Sequence, residues 1–368
     1  MTSTAHPSPT TQSLIVFETR HILPIPEHER TSSAPSLLAI WVSLNMMPLT
    51  VVTGAIATAT FGLSIGWSIA AILAGNVIGA FAAALHSSQG PRLGVPQMLQ
   101  ARAQFGFYGG TILAFIALMM FLGFFASILV VAKDSLLAVL PDLNSTVVLI
   151  VFAAIGIAIT AYGYDLLRRA MMALSVIVAV IVVVSMILLW LQPAATQTAP
   201  AAGFTLEGFF GMLAMGVVWQ LAYAPYVSDY SRYLPVRTGP RQAFWVTYLG
   251  LTLSSVFVMS LGVLLGSADP DHPLNALSAL LGPFGVIGLL VFAFSSAMIN
   301  AAALYSGVMC ALTTVNSTFR RVTTTSRVRV ITTILCGLIA TAVALAGESD
   351  FVTMFQNFVS ILLYLLIP

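Results

Sequence analysis

Ten apolar runs, near residues 37–62, 64–86, 111–132, 145–163, 171–191, 204–228, 243–266, 285–314, 329–346 and 351–367, fill most of this chain, and none carries an acidic residue at its centre. About 20 apolar residues make an α-helix long enough to cross the hydrocarbon core of a bilayer. In lipid the backbone must satisfy its own hydrogen bonds, which leaves helices or closed barrels. The pattern predicts an all-α integral membrane protein. Only 7% of the 368 residues are charged, against about 25% in soluble domains, so a soluble enzyme or a nucleic-acid-binding module is excluded.

Charge placement gives the chain a direction, because cytoplasmic connections carry an excess of Lys and Arg. With the N-terminus inside, the inner segments hold Arg20, Arg30, Arg92, Arg102, Arg168, Arg169, Arg232, Arg237, Arg241, Arg320, Arg321, Arg327 and Arg329, and Lys133 is the sole outer cation. Asp142, Asp269, Asp271, Glu348 and Asp350 fall outside on the same assignment. A multi-pass protein of the cell membrane is expected. Residues 1–36 are rich in Ser, Thr, Pro and charge and lack the apolar stretch of a signal peptide, so they read as a flexible cytoplasmic tail. Cys310 and Cys336 lie in apolar runs and read as small buried hydrophobes.

Two of the runs contain a helix breaker. In Trp219 to Pro235, Pro225 removes a backbone donor and frees the carbonyl one turn earlier, beside Trp219 and Gln220. Trp41 to Pro48 repeats the theme in the first run, with Asn45 and Pro48. Freed backbone groups persist in a bilayer only where protein or a water-filled cavity satisfies them. Paired interruptions in corresponding places point to the binding site of a secondary transporter. Ten helices with the first and sixth broken divide into 37–200 and 201–368. Five is odd, so the second set enters the membrane reversed, as an inverted repeat. The abrupt finish at Ile367 and Pro368 suggests a chain truncated before further helices.

The connector from His86 to Gly110 is punctuated by Gly and Pro around a short amphipathic piece, roughly Gln97 to Gln104, too short and polar to span. It reads as an interfacial connector or as part of a gate. With this connector, a specific resemblance emerges. Asn45-Met46-Met47-Pro48, Gly90-Pro91-Arg92-Leu93-Gly94-Val95-Pro96, Arg102-Ala103-Gln104-Phe105-Gly106 and Ser228-Asp229-Tyr230-Ser231-Arg232-Tyr233, in that order, resemble the nucleobase:cation symporter-1 family, particularly its purine-cytosine permease branch. The similarity runs from about Trp41 to Pro368.

The resemblance implies a core of two inverted five-helix repeats, as in sodium-coupled amino-acid transporters, within a twelve-helix protein. It also implies a substrate held between the first, third, sixth and eighth helices, stacked on aromatic rings and hydrogen-bonded by amides. Matched by position, the substrate-site residues are Phe121, Phe124, Trp219, Gln220 and Asn300, joined by Asn45 at the first break. Family members often carry Trp and Gln on the third helix where this chain has Phe124 and Phe121, and an aromatic residue where it has Gln220. On residue type alone, the two phenylalanines serve equally as packing residues. A stacked planar base gains about 1 to 3 kcal/mol, and an amide can read its edge bidentately.

For a coupling ion, Ser295 and Ser296 match hydroxyl positions that, in sodium-coupled relatives, join carbonyls of the broken first helix, here near Ser43 to Met46. Serine also suits close helix packing. Pro225, Asp229 and Arg232, at the cytoplasmic exit of the sixth helix, are candidate gating residues, with a local Asp229–Arg232 ion pair the plainer reading. No cofactor is expected beyond a sodium ion or proton, and no metal beyond sodium. The leading expectation is uptake of a purine or pyrimidine base with a cation by alternating access. The alternatives are carriage of allantoin, hydantoin or another small heterocycle, and a receptor-like protein that keeps the fold without transport. An enzyme is disfavoured, since no nucleophile-base pair or His-Glu cluster stands at catalytic spacing.

The charge bias makes a direct prediction. Single cysteines placed near Asp271 and Glu348 should react with an impermeant thiol reagent in intact cells, and those near Arg169 and Arg327 should not. Labelling of the arginine segments would reverse the topology.

Overall fold

A computed structural model describes residues 22–191, 203–318 and 325–366. Residues 1–21 of the expected tail, Arg20, Arg320, Arg321, the junction near residue 200 and the last two residues lie outside the described segments. Each of the ten apolar runs carries a helix. The first is a bent pair, α1 (Ala34–Asn45) and α2 (Pro48–Ala59), followed by α3 (Ile65–Ser87), the one-turn α4 (Gly90–Leu93), α5 (Gln97–Leu137), α6 (Ser145–Tyr162) and α7 (Tyr164–Leu191). A second broken pair, α8 (Leu206–Leu221) and α9 (Val227–Ser231), leads to α10 (Gly239–Ala268), α11 (Pro273–Leu281), α12 (Gly285–Thr318), α13 (Ser326–Gly347) and α14 (Phe351–Leu366). By length and apolarity alone, seven continuous stretches suffice to cross a membrane, or eight with the bent first pair. The expected number is higher because α13 and α14 run on through a single 3-10 turn, Glu348–Asp350, and because α8 stops at its break.

Both breaks fall where proline predicts. Asn45 ends α1, Met46 leaves helical geometry at ψ 62°, and Pro48 opens α2 at the first helical position, where a missing N–H costs nothing. The two pieces meet at 55°. In the second pair, Ala222 to Tyr226 form turns around Pro225. The outcome differs at the connector, where the amphipathic piece from Gln97 does not stand alone. It continues into the third span as α5, bent at Gly106, whose φ of 71° favours glycine. This kink lets a polar segment at the membrane boundary lead directly into an apolar span.

The main helix interfaces sort the spans into two groups. α1 and α2, α3, α8 and α10 pack together, while α5 lies along α12 with α6 and α13 beside them. Each group draws on both halves of the sequence, so 37–200 and 201–368 interleave in space. The first group approaches closely through small residues. A Cβ on Gly262 would strike the carbonyl oxygen of Val51, and one on Gly54 that of Met259, while Gly75 lies against the backbone at Leu213. Close backbone approach of this kind is how helices associate in lipid, where no hydrophobic drive favours helix on helix.

At one end of the molecule, Lys133 Nζ lies 3.0 Å from Glu348 Oε2 and 3.1 Å from Asp134 Oδ1. The Ser145 hydroxyl donates to the same Glu348 oxygen at 3.0 Å, so α5, α6 and the α13–α14 turn are clamped together. The lone cation expected outside is thus neutralised by carboxylates on the same face. We predict that Gly262→Ala separates α2 from α10 and lowers the melting temperature of the purified protein, at a cost of about 1–3 kcal/mol. Gly66→Ala, where a Cβ meets open space, should leave it unchanged.

Candidate functional site

Asn45, the last residue of α1, holds the two breaks together. Its Oδ1 accepts from Trp219 Nε1 at 2.9 Å, the Ser255 hydroxyl at 2.8 Å and the Tyr223 hydroxyl at 3.1 Å. Its Nδ2 donates to Ser254 Oγ at 3.0 Å and back to the Trp41 carbonyl at 3.3 Å. Gln220 extends the network: its Nε2 donates to Asn76 Oδ1 at 2.6 Å, to Ser255 Oγ at 2.9 Å and to the Leu251 carbonyl at 3.2 Å. Four helices, α1, α3, α8 and α10, are thereby joined through buried amides and hydroxyls.

Beside this network lies a small, partly open cavity between the two groups of spans. It is lined by Leu44 and Met47 of the first break, Phe121, Phe124 and Ile128 of α5, Trp219, Tyr223 and Tyr226 of the second break, and Ile299 and Ala303 of α12. Phe121 meets Tyr226 edge to face at 5.0 Å, and Phe124 meets Trp219 at 6.2 Å. Phe358 of α14 closes on Phe124 from behind at 5.2 Å. Phe121, Phe124 and Trp219 are thus brought together around one space. Asn300 sits next to the lining residues of α12, with its Nδ2 donating to the Phe125 carbonyl at 3.2 Å and its buried Oδ1 without a hydrogen-bond partner. Gln220 is turned away from the cavity into the amide network, because neighbouring helix residues point about 100° apart and Trp219 takes the cavity side.

The serines stand at the far side of the first break. Ser295 and Ser296 both donate to the Phe292 carbonyl, at 2.8 and 3.0 Å, and Ser295 Oγ lies 3.4 Å from the Met46 carbonyl. Ser295 thus links α12 to the first break, while the Ser296 hydroxyl bonds back to its own helix; each hydroxyl keeps lone pairs to offer a cation. The Ser43 side chain bonds instead to its own helix at Ala39, 2.6 Å away.

The second break is tied down by α9, whose faces differ. Ser228 and Ser231 donate to the carbonyls of His86 and Ser87 at the end of α3. Asp229 Oδ1 accepts from the Gln97 amide at 3.0 Å, capping the N-terminus of α5, where the helix dipole favours an anion. Arg232 is fully buried; its Nε donates to the Asp229 carbonyl at 3.3 Å and its Nη2 to the Tyr305 hydroxyl of α12, also at 3.3 Å. Arg329 of α13 lies over the Tyr305 ring and bonds the Thr160 carbonyl at 2.8 Å. Sequence reasoning passed over Asn76, Tyr223, Ser254, Ser255 and Tyr305. An asparagine inside an uncharged span was a usable signal for Asn76, whereas a serine or tyrosine is too common in such helices to stand out.

Three comparisons bear on this arrangement. Residues 24–368 match the family model described as permease for cytosine/purines, uracil, thiamine, allantoin. A Bacillus subtilis protein named as a purine-cytosine permease, YxlA, is 38% identical over 95% of this chain and 77% of its own length. Purine-cytosine permease fcyB of Emericella nidulans is 26% identical over 95% of this chain and 70% of its own. Among solved structures, the nucleobase-cation-symport-1 family transporter Mhp1, closed with bromovinylhydantoin bound, superposes with a TM-score of 0.73 at 19% identity, covering 95% of this chain and 78% of that one. MhsT in complex with L-phenylalanine gives 0.64 at 12% identity, covering 87% and 80%. These similarities fix the fold as that of this transporter class.

The network predicts the effect of removing its hub. Asn45→Ala strips Trp219 Nε1 of its acceptor and costs about 1–3 kcal/mol for each buried polar group left unpaired. The expected result is a marked fall in melting temperature and loss of ligand binding. Ser254→Ala removes one contact and should cost far less.

Proposed function

Because this chain belongs to the permease family for cytosine/purines, uracil, thiamine and allantoin, we propose that it is a secondary transporter taking up a purine or pyrimidine base together with a cation. The observation that carries this reading is the aromatic cavity lying where both helix breaks meet. A flat, polar-edged ring suits such a space: Phe121, Phe124 and Trp219 offer faces, and the free Oδ1 of Asn300 offers an acceptor to a ring N–H.

The cavity has a volume of about 40 Å³, about three times what one water needs. A base therefore enters only when the two groups of spans part. A wider vestibule of about 460 Å³ lies along the same helices, lined by Val52 and Ile56 of α2, Val131 and Asp134 of α5, and Asp271 and His272. On α5 it begins at Val131, one turn beyond Ile128 of the cavity. With the acidic ends taken as outside, this is the entry route, and the α9 contacts to Gln97 and Tyr305 form the inner seal. Opening to the inside releases the Asp229 and Arg232 face of α9, while the Ser228 and Ser231 face keeps it on α3. The bias of arginines to one side supports a cytoplasmic N-terminus and a place in the cell membrane. For coupling, the Ser295 and Ser296 hydroxyls with the Met46 carbonyl are the favoured cation site, since none of the described residues lining the cavity is a carboxylate. The 37–200 and 201–368 halves then act as inverted repeats that each supply one broken helix.

Uptake of labelled cytosine, adenine, hypoxanthine, uracil and allantoin by expressing cells, with sodium and proton gradients varied separately, tests this function. At least one base should accumulate in a sodium-dependent way. Ser296→Ala should weaken the sodium dependence more than the substrate KM, and Asn300→Ala should do the reverse. Uptake that ignores sodium, collapses with a protonophore and tolerates Ser296→Ala would rule out the serine site.

A further inference from the structure

The carboxamide oxygen of Asn45 is oversubscribed. A carbonyl oxygen has two lone pairs, yet three donors converge on it: Ser255 at 2.8 Å, Trp219 at 2.9 Å and Tyr223 at 3.1 Å. Two of them are held by other bonds or by geometry. Ser255 Oγ also accepts from Gln220 Nε2 at 2.9 Å, so its own proton is directed towards Asn45. The Trp219 indole N–H cannot turn without moving the whole ring, which is packed against Phe124. Tyr223 makes the longest of the three bonds, and its hydroxyl proton, which conjugation keeps near the ring plane, has a second in-plane orientation directed away from Asn45. Tyr223 also lines the cavity, which neither Asn45 nor Ser255 does.

We propose that Tyr223 is a specificity-determining residue whose hydroxyl leaves Asn45 and donates to a carbonyl oxygen of the substrate ring. This assignment rests on the transport function argued above. With no ligand present, the hydroxyl has a partner in Asn45, so it carries no cost of burial. With a ligand that offers an acceptor, Asn45 keeps its full complement from Ser255 and Trp219, and the phenol makes a new bond at no loss to the network. A ring that lacks the carbonyl leaves Tyr223 on Asn45 and gains nothing. The device favours oxo-bearing bases over their deoxygenated analogues without placing a permanently unpaired donor in an apolar space.

The ring in this position is also needed as packing, since Tyr223 meets Trp41 edge to face at 6.3 Å and Tyr226 at 5.6 Å. The informative substitution is therefore Tyr223→Phe, which keeps the ring and leaves Asn45 Oδ1 with two donors. In cells expressing the protein, uptake of hypoxanthine is compared with purine, and of cytosine with 4-aminopyrimidine. Each pair differs by one ring carbonyl and the ring N–H that accompanies it, so the readout is the change that the variant makes to each member against wild type. In the variant, KM for the oxo-bearing member of the transported pair should rise roughly tenfold, with KM for its partner and the melting temperature unchanged. An equal shift for both members, or none, in a variant that still transports overturns the role of the hydroxyl alone. A Tyr223→Phe protein with lowered melting temperature and uniformly poor uptake assigns the hydroxyl to the network and also overturns it. If the wild-type protein accumulates neither base nor analogue, the transport function fails and the substrate role fails with it.

Discussion

A helix that stops halfway through a bilayer leaves carbonyls and amides that hydrocarbon cannot satisfy, and this fold depends on how the first break is answered. Main-chain turns answer part of it, with Met46 donating to the Ser43 carbonyl and Met47 to the Asn45 carbonyl, and one side chain then ties the break to its neighbours. Asn45 returns an amide proton to the Trp41 carbonyl of its own helix and spends its oxygen on α8 and α10. Because the amide carries two donors and an oxygen with two lone pairs, it can reach its own helix and two neighbouring helices at once, more partners than a single hydroxyl offers and more than any apolar residue. The second break uses the same kind of turn. Around Pro225, short turns reconnect the backbone to itself, with Tyr226 and Val227 both donating to the Tyr223 carbonyl. Both breaks thus reconnect their own main chain through turns, and the Asn45 side chain ties the first break to the second.

The polar network also explains why four helices act as one body. Asn45, Asn76, Gln220 and Ser255 contribute from α1, α3, α8 and α10, and the small residues along the α2–α10 and α3–α8 seams bring those backbones close enough for short side chains to meet. Glycine contacts and amide bonds reinforce each other, since widening a seam by a methyl group would stretch hydrogen bonds that have no alternative partner in lipid. Between this body and the α5–α12 pair the contacts are of another kind. They are mainly aromatic edges around the cavity, with a few polar links near α9. Such surfaces separate at lower cost than a hydrogen-bonded seam, so the division of the spans into two groups follows from the chemistry of the interfaces.

Much of this was legible in the sequence, for reasons that can be stated residue by residue. Pro48 and Pro225 mark breaks because proline cannot continue a hydrogen-bonded helix, and the uncharged runs mark spans because charge is costly in hydrocarbon. Phe121 and Phe124 are three apart and so share a face, and both reach the cavity. Trp219 and Gln220 were both expected at the site, yet adjacent helix residues diverge by about 100°, and only Trp219 lines the cavity. What could not be read is what Gln220 meets instead. Its partners Asn76 and Ser255 lie 144 and 35 residues away, and only the packing of α3 against α8 and α10 brings them together. The contact of Phe358 with Phe124 is equally a product of tertiary packing.

Among the described residues the cavity lining itself carries no carboxylate, and the nearest one, Asp229, lies one turn from Tyr226 of the wall and caps α5. The polar side chains of the wall and of the network beside it are amides, hydroxyls and an indole, none of which changes charge over the physiological range. Were this cavity the substrate site, recognition there would rest on hydrogen-bond direction and ring shape, and an ion would be coupled to it through geometry. The Met46 carbonyl supplies the connection: it belongs to the residue between α1 and α2, beside Met47 of the cavity wall, and it faces Ser295 on the opposing helix group. A cation drawing Met46 towards Ser295 and Ser296 would fix the angle of the first break, and with it the position of Met47 against the substrate. The ion and the substrate would then each favour the same arrangement of one short stretch of backbone, which is sufficient for their binding to be coupled without any contact between them.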